Sequence, residues 1–388
     1  MMEVMPAQAT AVEPARPILR VTMLGLRGFP KVQGGIENHV ENLATRLVEI
    51  GCEVEVIVRS SYMAEDVGRI WQGVRLARLW APRATGVEAF FHTLVGVLRA
   101  GVTRPDILHI HGIGPALFTP IGRLLGLRVV VTHHSLNYEH EKWGRFARWL
   151  LRLGETAGMR LAHRRIVVSR YLAERVRGRY QVPVEVIPNG IPMPNIQPGT
   201  VILNSFGLTP GRYILTVARI DPVKRQLDLI AAMGAARARG WTLAIVGSAD
   251  YQDAYARSVT EAAQAAEGVV LLGHQTGSNL AALFSQAGAF TMVSSMEGQP
   301  IAVLEALSYG CPLILSDIPA HREIAPSGTR FVAVGDVADL AGAFEAAASG
   351  RAAEGIDAAD RARIAEAHDW TAIARRTLQL YRDALSGR

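Results

Sequence analysis

Short apolar runs alternate with stretches of helical periodicity along most of the chain. An apolar run at residues 18–26 is followed by a helical pattern from Ile36 to Ile50 and by a second run at residues 53–58. Unbroken runs of this length are typical of strands buried on both faces, so the pattern predicts parallel sheets covered by helices. Further strands are predicted at residues 74–79, 106–111, 128–133, 164–168, 184–187, 214–218, 242–246, 268–272, 288–293, 312–315 and 330–334.

A proline-rich stretch divides this pattern into two halves. Residues 192–199 contain three prolines, a composition typical of a linker, and 388 residues are enough to form two hydrophobic cores. We therefore predict an α/β protein with two Rossmann-like parallel-sheet domains, residues 17–191 and residues 200–369. Residues 1–16 have no apolar core and are expected to be a disordered tail rather than a signal peptide. A final amphipathic helix is predicted at about 370–388.

The composition is that of a water-soluble globular protein, with 49% hydrophobic and 20% charged residues. No run approaches the roughly 18 apolar residues that a membrane-spanning helix requires. Cys52 and Cys311 are too few for a disulfide framework or a zinc site, and a reducing cytoplasm is expected.

Positive charge is concentrated in the first half of the chain. Residues 1–200 hold 25 Lys and Arg against 16 Asp and Glu, and the excess is densest between Lys142 and Arg179. Such asymmetry predicts an anionic partner, which could be a membrane surface, a lipid diphosphate or a nucleic acid. Residues 142–162 combine this charge with aromatic residues at helical spacing, which suits either a membrane interface or a surface helix packed on the core. No nucleic-acid-binding module is recognisable, so nucleic acid is not expected as a partner.

The most informative stretch follows the predicted strand at residues 288–293. A turn at Glu297-Gly298-Gln299 precedes Pro300, which is placed at the first helical position, and Ile301 begins the apolar side of a helix that contains Glu305. The unpaired amide groups at such a helix start can bind a phosphate-like anion. A carboxylate on either side of that anion could bind sugar hydroxyls, whereas an ordinary surface helix would leave both glutamates solvated.

This stretch, S-x-x-E-G-x-P-x-x-x-L-E-A, resembles the donor-site signature of the family 4 retaining glycosyltransferases. The resemblance implies that Glu297 contacts the donor sugar and Glu305 the ribose of a nucleotide diphosphate-sugar, with Gly298, Gln299, Pro300 and Ile301 around the diphosphate. Gln299 and Pro300 replace the common Phe-Gly of the family, which bears on donor choice rather than on chemistry.

Two cations in the second half extend the resemblance. Arg219 and Lys224 follow a predicted strand at the family's R-(5)-K spacing, and there both bind the donor diphosphate and stabilise its charge as it leaves. The loops of Gly247 and His274 also follow strands, and in the family they border the diphosphate and the base. Two cations near a helix start can supply this stabilisation without a metal, and no Asp-x-Asp sequence is present.

The first half carries weaker motifs. Gly34-Gly35-Ile36-Glu37 resembles the family's G-G-x-E loop near the donor phosphates, although a tight turn would explain both glycines equally well. His134 aligns with the family histidine beside the donor sugar, whereas His111 and His133 are expected to be core residues. With His140 these histidines could suggest a metal, but their spacings fit no standard set, and none is expected.

The resemblance covers residues 18–385 and implies the two-domain glycosyltransferase B fold, with the site in a cleft and the last helix crossing back onto the first domain. The implied reaction is metal- and cofactor-free transfer of a sugar from GDP-mannose or a UDP-sugar, with retention of configuration. The basic first domain suggests a polyprenyl-diphosphate-linked or other glycan acceptor, at the inner face of the cytoplasmic membrane, in polysaccharide (exopolysaccharide) assembly.

Three alternatives remain at this point. A nucleotide-sugar epimerase of similar fold would bind the same donor without an acceptor. An NADP-dependent oxidoreductase would use the loop from Gly25 to Gly28 and Arg59, although the loop does not match G-x-G-x-x-G. A non-enzymatic nucleotide or nucleic-acid binder would keep the basic face without needing Glu297.

Overall fold

The computed structural model describes residues 19–82, 87–139, 144–191, 193–197, 200–249, 253–350, 356 and 358–387. The predicted tail at residues 1–16 lies outside the described residues. So do His140, Trp143 and positions 192, 198 and 199 of the predicted linker. None of the described helices is both long enough and apolar enough to cross a bilayer.

The first sheet has eight strands in the order β3-β4-β2-β1-β5-β6-β7-β8, and all neighbours are parallel except β3 and β4. Its strands are β1 Arg20–Leu24, β2 Glu53–Arg59, β3 Ile70–Trp71, β4 Val74–Leu79, β5 Ile107–His111, β6 Val129–His133, β7 Arg164–Val167 and β8 Glu185–Val186. The helices that connect them are α1 Gly35–Glu49, α2 Val87–Thr103, α3 Thr119–Leu124, α4 Arg145–Leu161 and α5 Arg170–Tyr180.

The second sheet has six parallel strands in the order β11-β10-β9-β12-β13-β14. They are β9 Tyr213–Val217, β10 Thr242–Val246, β11 Val269–Gly273, β12 Ala289–Met292, β13 Leu313–Ser316 and β14 Arg330–Val332. The helices of this half are α6 Thr200–Ser205, α7 Gln226–Ala235, α8 Ala254–Ala265, α9 Gly277–Ser285, α10 Ile301–Ser308, α11 Pro319–Ile324, α12 Val337–Ala348, α13 Ala358–Ala367 and α14 Trp370–Ser386.

The sequence pattern did not predict β3, which pairs antiparallel with β4 at the edge of the first sheet. The two strands are joined by Gln72 and Gly73, and both residues have positive φ angles (44° and 79°). A two-residue turn with positive φ at both positions suits a tight hairpin. A strand of two residues is too short to produce a hydrophobic pattern, which explains why it was missed.

Alternating side chains of each central strand enter different cores, because successive residues of a strand face opposite sides. Val21 and Met23 of β1 pack with Leu43 of α1, whereas Leu24 belongs to the core on the other face. The helix α14 packs against α1 on the first sheet, and its buried Tyr381 hydroxyl bonds to His109 Nδ1 at 2.7 Å. The end of the chain therefore stabilises the first domain, although it follows the second.

The carboxyl ends of the strands of the two sheets face each other across a cleft. In open parallel sheets, loops at this edge carry the ligand-binding residues. The cleft has a volume of about 1060 Å³. The fold therefore brings loops that are distant in the sequence into one space.

Candidate active site

The cleft collects every residue that the sequence motifs singled out. Residues from both domains contribute, although their roles remain predictions. The lining includes Gly34, Gly35, His134, Arg219, Lys224, Gly247, His274, Glu297, Gly298, Gln299, Pro300, Ile301 and Glu305.

Two loops of the second domain bring Lys224 and Glu297 together. Lys224 ends a short 3-10 turn after β9, and Glu297 lies in the loop after β12. The Ser295 amide donates a hydrogen bond to the Val223 carbonyl at 2.9 Å, which holds the two loops side by side. The Lys224 ammonium then forms an ion pair with the Glu297 carboxylate. Burial by itself would raise the pKa of Glu297, but the charge and hydrogen bond of Lys224 hold it below its usual value.

Arg219 extends this charged wall. It leaves the end of β9, and its guanidinium lies 3.8 Å from the Asp221 carboxylate. The Gln226 side chain donates a hydrogen bond to the Arg219 carbonyl at 2.7 Å, which fixes the turn. The Arg219 side chain keeps 30% of its surface exposed, so it remains accessible from the cleft.

The helix α10 begins one residue later than the sequence suggested. Pro300 was placed at the first helical position, but it is the N-cap residue in extended conformation (ψ 111°), and Ile301 is the first helical residue. The prediction was therefore wrong by one position, because the fixed φ of proline suits the cap as well as the first turn. The start of α10 still faces the cleft.

Glu305 lies further along α10, on the wall of the cleft. Burial raises the pKa of Glu305 to about 7. Among the described residues, none donates a hydrogen bond to its carboxylate. A half-buried carboxyl group without a partner is costly to ionise, and hydroxyl donors of a ligand would stabilise its charged form.

Gly298 lies at a close contact between the two domains. A Cβ atom at this position would lie 1.7 Å from the His134 carbonyl oxygen, so only glycine fits. The next residue continues the contact, since the Gln299 side-chain oxygen accepts a hydrogen bond from the Asn189 amide at 2.6 Å. The loop that carries Glu297 is thus fitted directly against the segment that carries His134.

His134 faces the charged loops from the first domain. It is 8% exposed, and burial together with neighbouring histidines holds its pKa well below the usual value, so the imidazole is neutral at pH 7. His111 and His133 are buried, as expected of core residues. His133 Nε2 bonds to Glu155 at 2.9 Å, whereas His111 Nδ1 lies 3.2 Å from His134 Nε2.

The two glycines at the start of α1, Gly34 and Gly35, differ in their surroundings. Gly34 has a φ of 155°, a conformation that side chains rarely adopt, whereas a Cβ at Gly35 would meet nothing within 4 Å. The turn explanation therefore applies to Gly34 alone. Gly34 packs against the Glu37 carboxylate, which forms a buried ion pair with Arg27 at 3.0 Å.

The remaining two predicted residues follow neighbouring strands of the second sheet. Gly247 comes directly after β10, and a Cβ there would lie 1.9 Å from the Ala218 carbonyl oxygen. His274 comes directly after β11 and is exposed in the cleft.

Sequence reasoning missed three residues that connect the walls of the cleft. Gln33 Oε1 accepts hydrogen bonds from the Ser248 amide (3.1 Å) and hydroxyl (2.7 Å) across the cleft. Asn189 joins His39 Nδ1 (2.9 Å) to the Gln299 carbonyl (2.9 Å). Asn189 stands in the turn-forming stretch Ile187-Pro188-Asn189-Gly190, which is a usable signal, but Gln33 and His39 carry no pattern of their own.

Two family models match the chain, one in each domain. Residues 33–193 match the model described as Glycosyltransferase Family 4, and residues 211–350 match the model described as Glycosyl transferases group 1. The first matched segment contains strands β2 to β8 of the first sheet. The second contains all six strands of the second sheet, β9 to β14.

Curated relatives match over nearly the whole chain. A glycogen synthase of Mycobacterium tuberculosis (strain CDC 1551 / Oshkosh) is 27% identical, with 95% of this chain and 96% of that protein covered. A GDP-mannose:cellobiosyl-diphosphopolyprenol alpha-mannosyltransferase of Xanthomonas oryzae pv. oryzae (strain PXO99A) is 26% identical, with 93% and 96% covered.

Solved structures share the fold. A sucrose-phosphate synthase from Thermosynechococcus elongatus superposes with a TM-score of 0.79 at 21% identity, covering 95% of this chain and 100% of that one. Anabaena HepE, solved in complex with UDP and glucose, gives a TM-score of 0.75 at 16% identity, covering 93% and 98%. Both likenesses confirm the predicted two-domain glycosyltransferase B fold. The chain belongs to the family 4 glycosyltransferases.

Proposed function

We propose that this glycosyltransferase moves a sugar from a nucleotide diphosphate-sugar to an acceptor hydroxyl, with retention of the α anomer and without a metal. The observation that carries the proposal is the Lys224–Glu297 ion pair, which lines the same cleft as Arg219 and His134 and adjoins the contact of Gly298 with the His134 carbonyl. Cations, a fixed carboxylate and a neutral imidazole meet in a space large enough for two substrates.

The charged wall suits the diphosphate. Arg219 and Lys224 present two cations at the carboxyl edge of the second sheet, and the start of α10 adds amide donors. Together they would neutralise the charge that grows on the β-phosphate as its bond to the sugar breaks. This stabilisation supplies the chemistry for which other glycosyl transfers use a divalent cation.

The carboxylates and His134 suit the uncharged parts of the donor. Glu297 and His134 would hold the hydroxyls of the sugar, and Glu305 those of the ribose. The bond from the anomeric carbon to the phosphate oxygen breaks, and the bond to the acceptor oxygen forms on the same face. The departing phosphate takes the proton of the acceptor hydroxyl, so no side-chain nucleophile is required.

The donor is proposed to be GDP-mannose or a UDP-sugar. The Xanthomonas relative is named for GDP-mannose and for a cellobiosyl-diphosphopolyprenol. That name also supports a lipid-linked saccharide as acceptor and polysaccharide assembly as the setting.

The structure gives no support to an NADP-dependent oxidoreductase. Arg59, the residue that would bind the 2′-phosphate, is 9% exposed and pairs with Glu88 at 3.4 Å. A Cβ at Gly25 would lie 2.1 Å from the His111 carbonyl oxygen, so this glycine is explained by strand packing alone. An epimerase remains distinguishable by experiment, since it needs no acceptor.

The experiment is a thermal-shift screen against UDP, GDP, ADP and their common sugar conjugates, with NADP as control. Stabilisation by one nucleoside diphosphate and not by NADP is expected, because a ligand that binds only the folded state raises the melting temperature. The preferred conjugate is then incubated with a lipid-linked saccharide, and the anomeric configuration of the product is measured by NMR. An inverted product, or a C2 or C4 epimer formed without acceptor, would contradict the proposal.

Membrane association is proposed through α4. The sequence allowed either a membrane interface or a surface helix packed on the core. The C-terminal half of α4 packs on the core through buried Ala157 and Met159. Near its start, Phe146 and Trp149 are 73% and 57% exposed. The two exposed rings stack with centroids 5.8 Å apart. Exposed aromatic residues on a basic helix suit the headgroup region of an anionic membrane at the cytoplasmic face.

Co-sedimentation with liposomes tests this part. The protein should bind vesicles that contain phosphatidylglycerol at low salt and release as salt rises, since the attraction is partly electrostatic. The double variant Phe146→Ser/Trp149→Ser should bind at least several-fold more weakly. A matched control, Val201→Ser, removes an 85% exposed apolar residue from the second domain and should not change binding. Equal binding by both variants would reject α4 as the membrane contact.

A further inference from the structure

Three histidines from distant parts of the chain meet at the wall of the first domain. His39 lies on α1, His111 ends β5, and His134 follows β6. All three side chains are buried, and each offers a nitrogen within 4.8 Å of the nitrogens of the other two. His39 lies 72 residues before His111, so no local spacing in the sequence links it to the other two histidines.

The hydrogen bonds around His39 fix which of its nitrogens is available. Asn189 Nδ2 must donate to the Gln299 backbone carbonyl, because a carbonyl can only accept. The Asn189 Oδ1 therefore faces His39 Nδ1 at 2.9 Å, and that nitrogen carries the proton. His39 Nε2 is left with a free lone pair. A metal-ligating histidine usually donates its other ring N–H to an oxygen acceptor, and Asn189 Oδ1 is such an acceptor.

The other two imidazoles are spaced for a shared ion. His111 Nδ1 and His134 Nε2 lie 3.2 Å apart. Nitrogens bound to one tetrahedral ion at about 2.0–2.1 Å lie roughly 3.3 Å from each other, so this pair already has the required separation. The widest separation among the three nitrogens is at most 4.8 Å, so it would need to close by up to about 1.5 Å, a shift within the reach of side-chain rotation.

We propose that His39, His111 and His134 form a binding site for a zinc-like divalent transition metal. Three neutral imidazoles without a carboxylate favour zinc, cobalt, nickel or copper over magnesium or calcium. Of the three, His134 lines the cleft, so an ion would reach the site from that side.

A metal at this site would inhibit transfer rather than assist it. The His134 ring would be held by the ion and could no longer adjust to bond to a sugar hydroxyl. This inhibition rests on the proposed function of His134, whereas the binding of the metal does not. The two statements are therefore tested by separate measurements.

Metal binding is measured on the tag-free, full-length protein after removal of metals with a chelator. One equivalent of zinc should remain bound after gel filtration, as measured by elemental mass spectrometry. Cobalt bound in its place should give the strong visible absorption of a tetrahedral site with nitrogen ligands. Magnesium should not bind. His39→Ala should weaken zinc binding more than about 100-fold, and Asn189→Ala, which removes only the orienting amide, about tenfold.

The matched control is His163→Ala, which removes another histidine of the same domain that bonds to the Val129 amide at 3.0 Å. It should leave zinc binding unchanged. Melting curves of each metal-free variant check that it is folded. If His39→Ala does not fold, His39→Gln replaces it in the zinc-binding measurement. Failure of the wild type to retain zinc, or equal binding by the His39 and His163 variants, would overturn the proposal.

Inhibition is measured on the transferase reaction. Equimolar zinc should reduce the wild-type rate, a chelator should restore it, and His39→Gln should resist zinc. Transfer that continues unchanged with zinc bound would reject the inhibitory role. If no transfer occurs under any condition, the proposed function fails, and the metal-binding measurements still decide whether the site exists.

Discussion

The two walls of the cleft differ in how they carry charge. The wall of the second domain presents fixed charges, in Arg219 and the Lys224–Glu297 pair. The wall of the first domain presents the neutral imidazole of His134, because burial lowers its pKa, together with the Arg27–Glu37 ion pair. Under the proposed function a neutral His134 is useful, since it bonds to uncharged hydroxyls without repelling the cations that neutralise the diphosphate.

Removing one member of the charged pair should have the largest effect. Lys224→Ala and Glu297→Gln should each lower kcat about 10²–10³-fold, as expected for loss of a group that stabilises transition-state charge. Steady-state kinetics with a saturating donor measure this. Near-normal turnover in either variant would contradict the assignment of the charged wall.

The second largest effect is expected when the two walls of the cleft are pushed apart. Gly298→Ala places a methyl group where the His134 carbonyl lies, so the loop of Glu297 must move by about 1 Å, and activity should fall about 100-fold. Gly342→Ala in α12 is the matched control, since a Cβ there meets nothing within 4 Å, and it should leave activity unchanged. Equal activities in the two variants would show that the close approach is unimportant.

The pH dependence of donor binding should reveal the ionisation of the Glu305 carboxyl group. The pKa of Glu305 is about 7, well above the 4.5 of an unperturbed carboxyl group, so Glu305 keeps its proton to a higher pH. The contribution of Glu305 to stability therefore falls as pH rises from about 4.5 to 7, and ribose hydroxyls should favour the ionised form. Affinity for the nucleoside diphosphate should rise about tenfold between pH 6 and pH 8.

Glu305→Gln provides the control, because it cannot ionise. Its affinity, measured by calorimetry, should vary much less over this range than that of the wild type. An identical pH profile in the two proteins would remove Glu305 from the donor site.

The smallest effect is expected for the bridge between Gln33 and Ser248. Gln33→Ala removes two exposed hydrogen bonds across the cleft. Exposed hydrogen bonds contribute about 0.5–1.5 kcal/mol, so the KM for the donor should rise only about threefold while kcat changes little. A large fall in kcat would instead place Gln33 in the reaction.

The charged wall of the second domain was more predictable than the wall of the first domain. Lys224 and Glu297 stand in loops beside strands whose apolar runs are evident, and each belongs to a spaced motif. The first-domain wall depends on His39, Gln33 and Asn189, which meet their partners over 72 to 215 positions of sequence. No periodicity links residues at such separations, because only the packing of helices on the sheets brings them together.

The sequence by itself determined the two parallel sheets, the donor motifs and the basic first domain, because hydrophobic period and motif spacing are local properties. The tertiary structure decided which histidines meet, where the domains touch and which carboxylate is ionised. Those outcomes depend on burial and on the close approach at Gly298, and both arise only when distant segments exclude water from the same cleft.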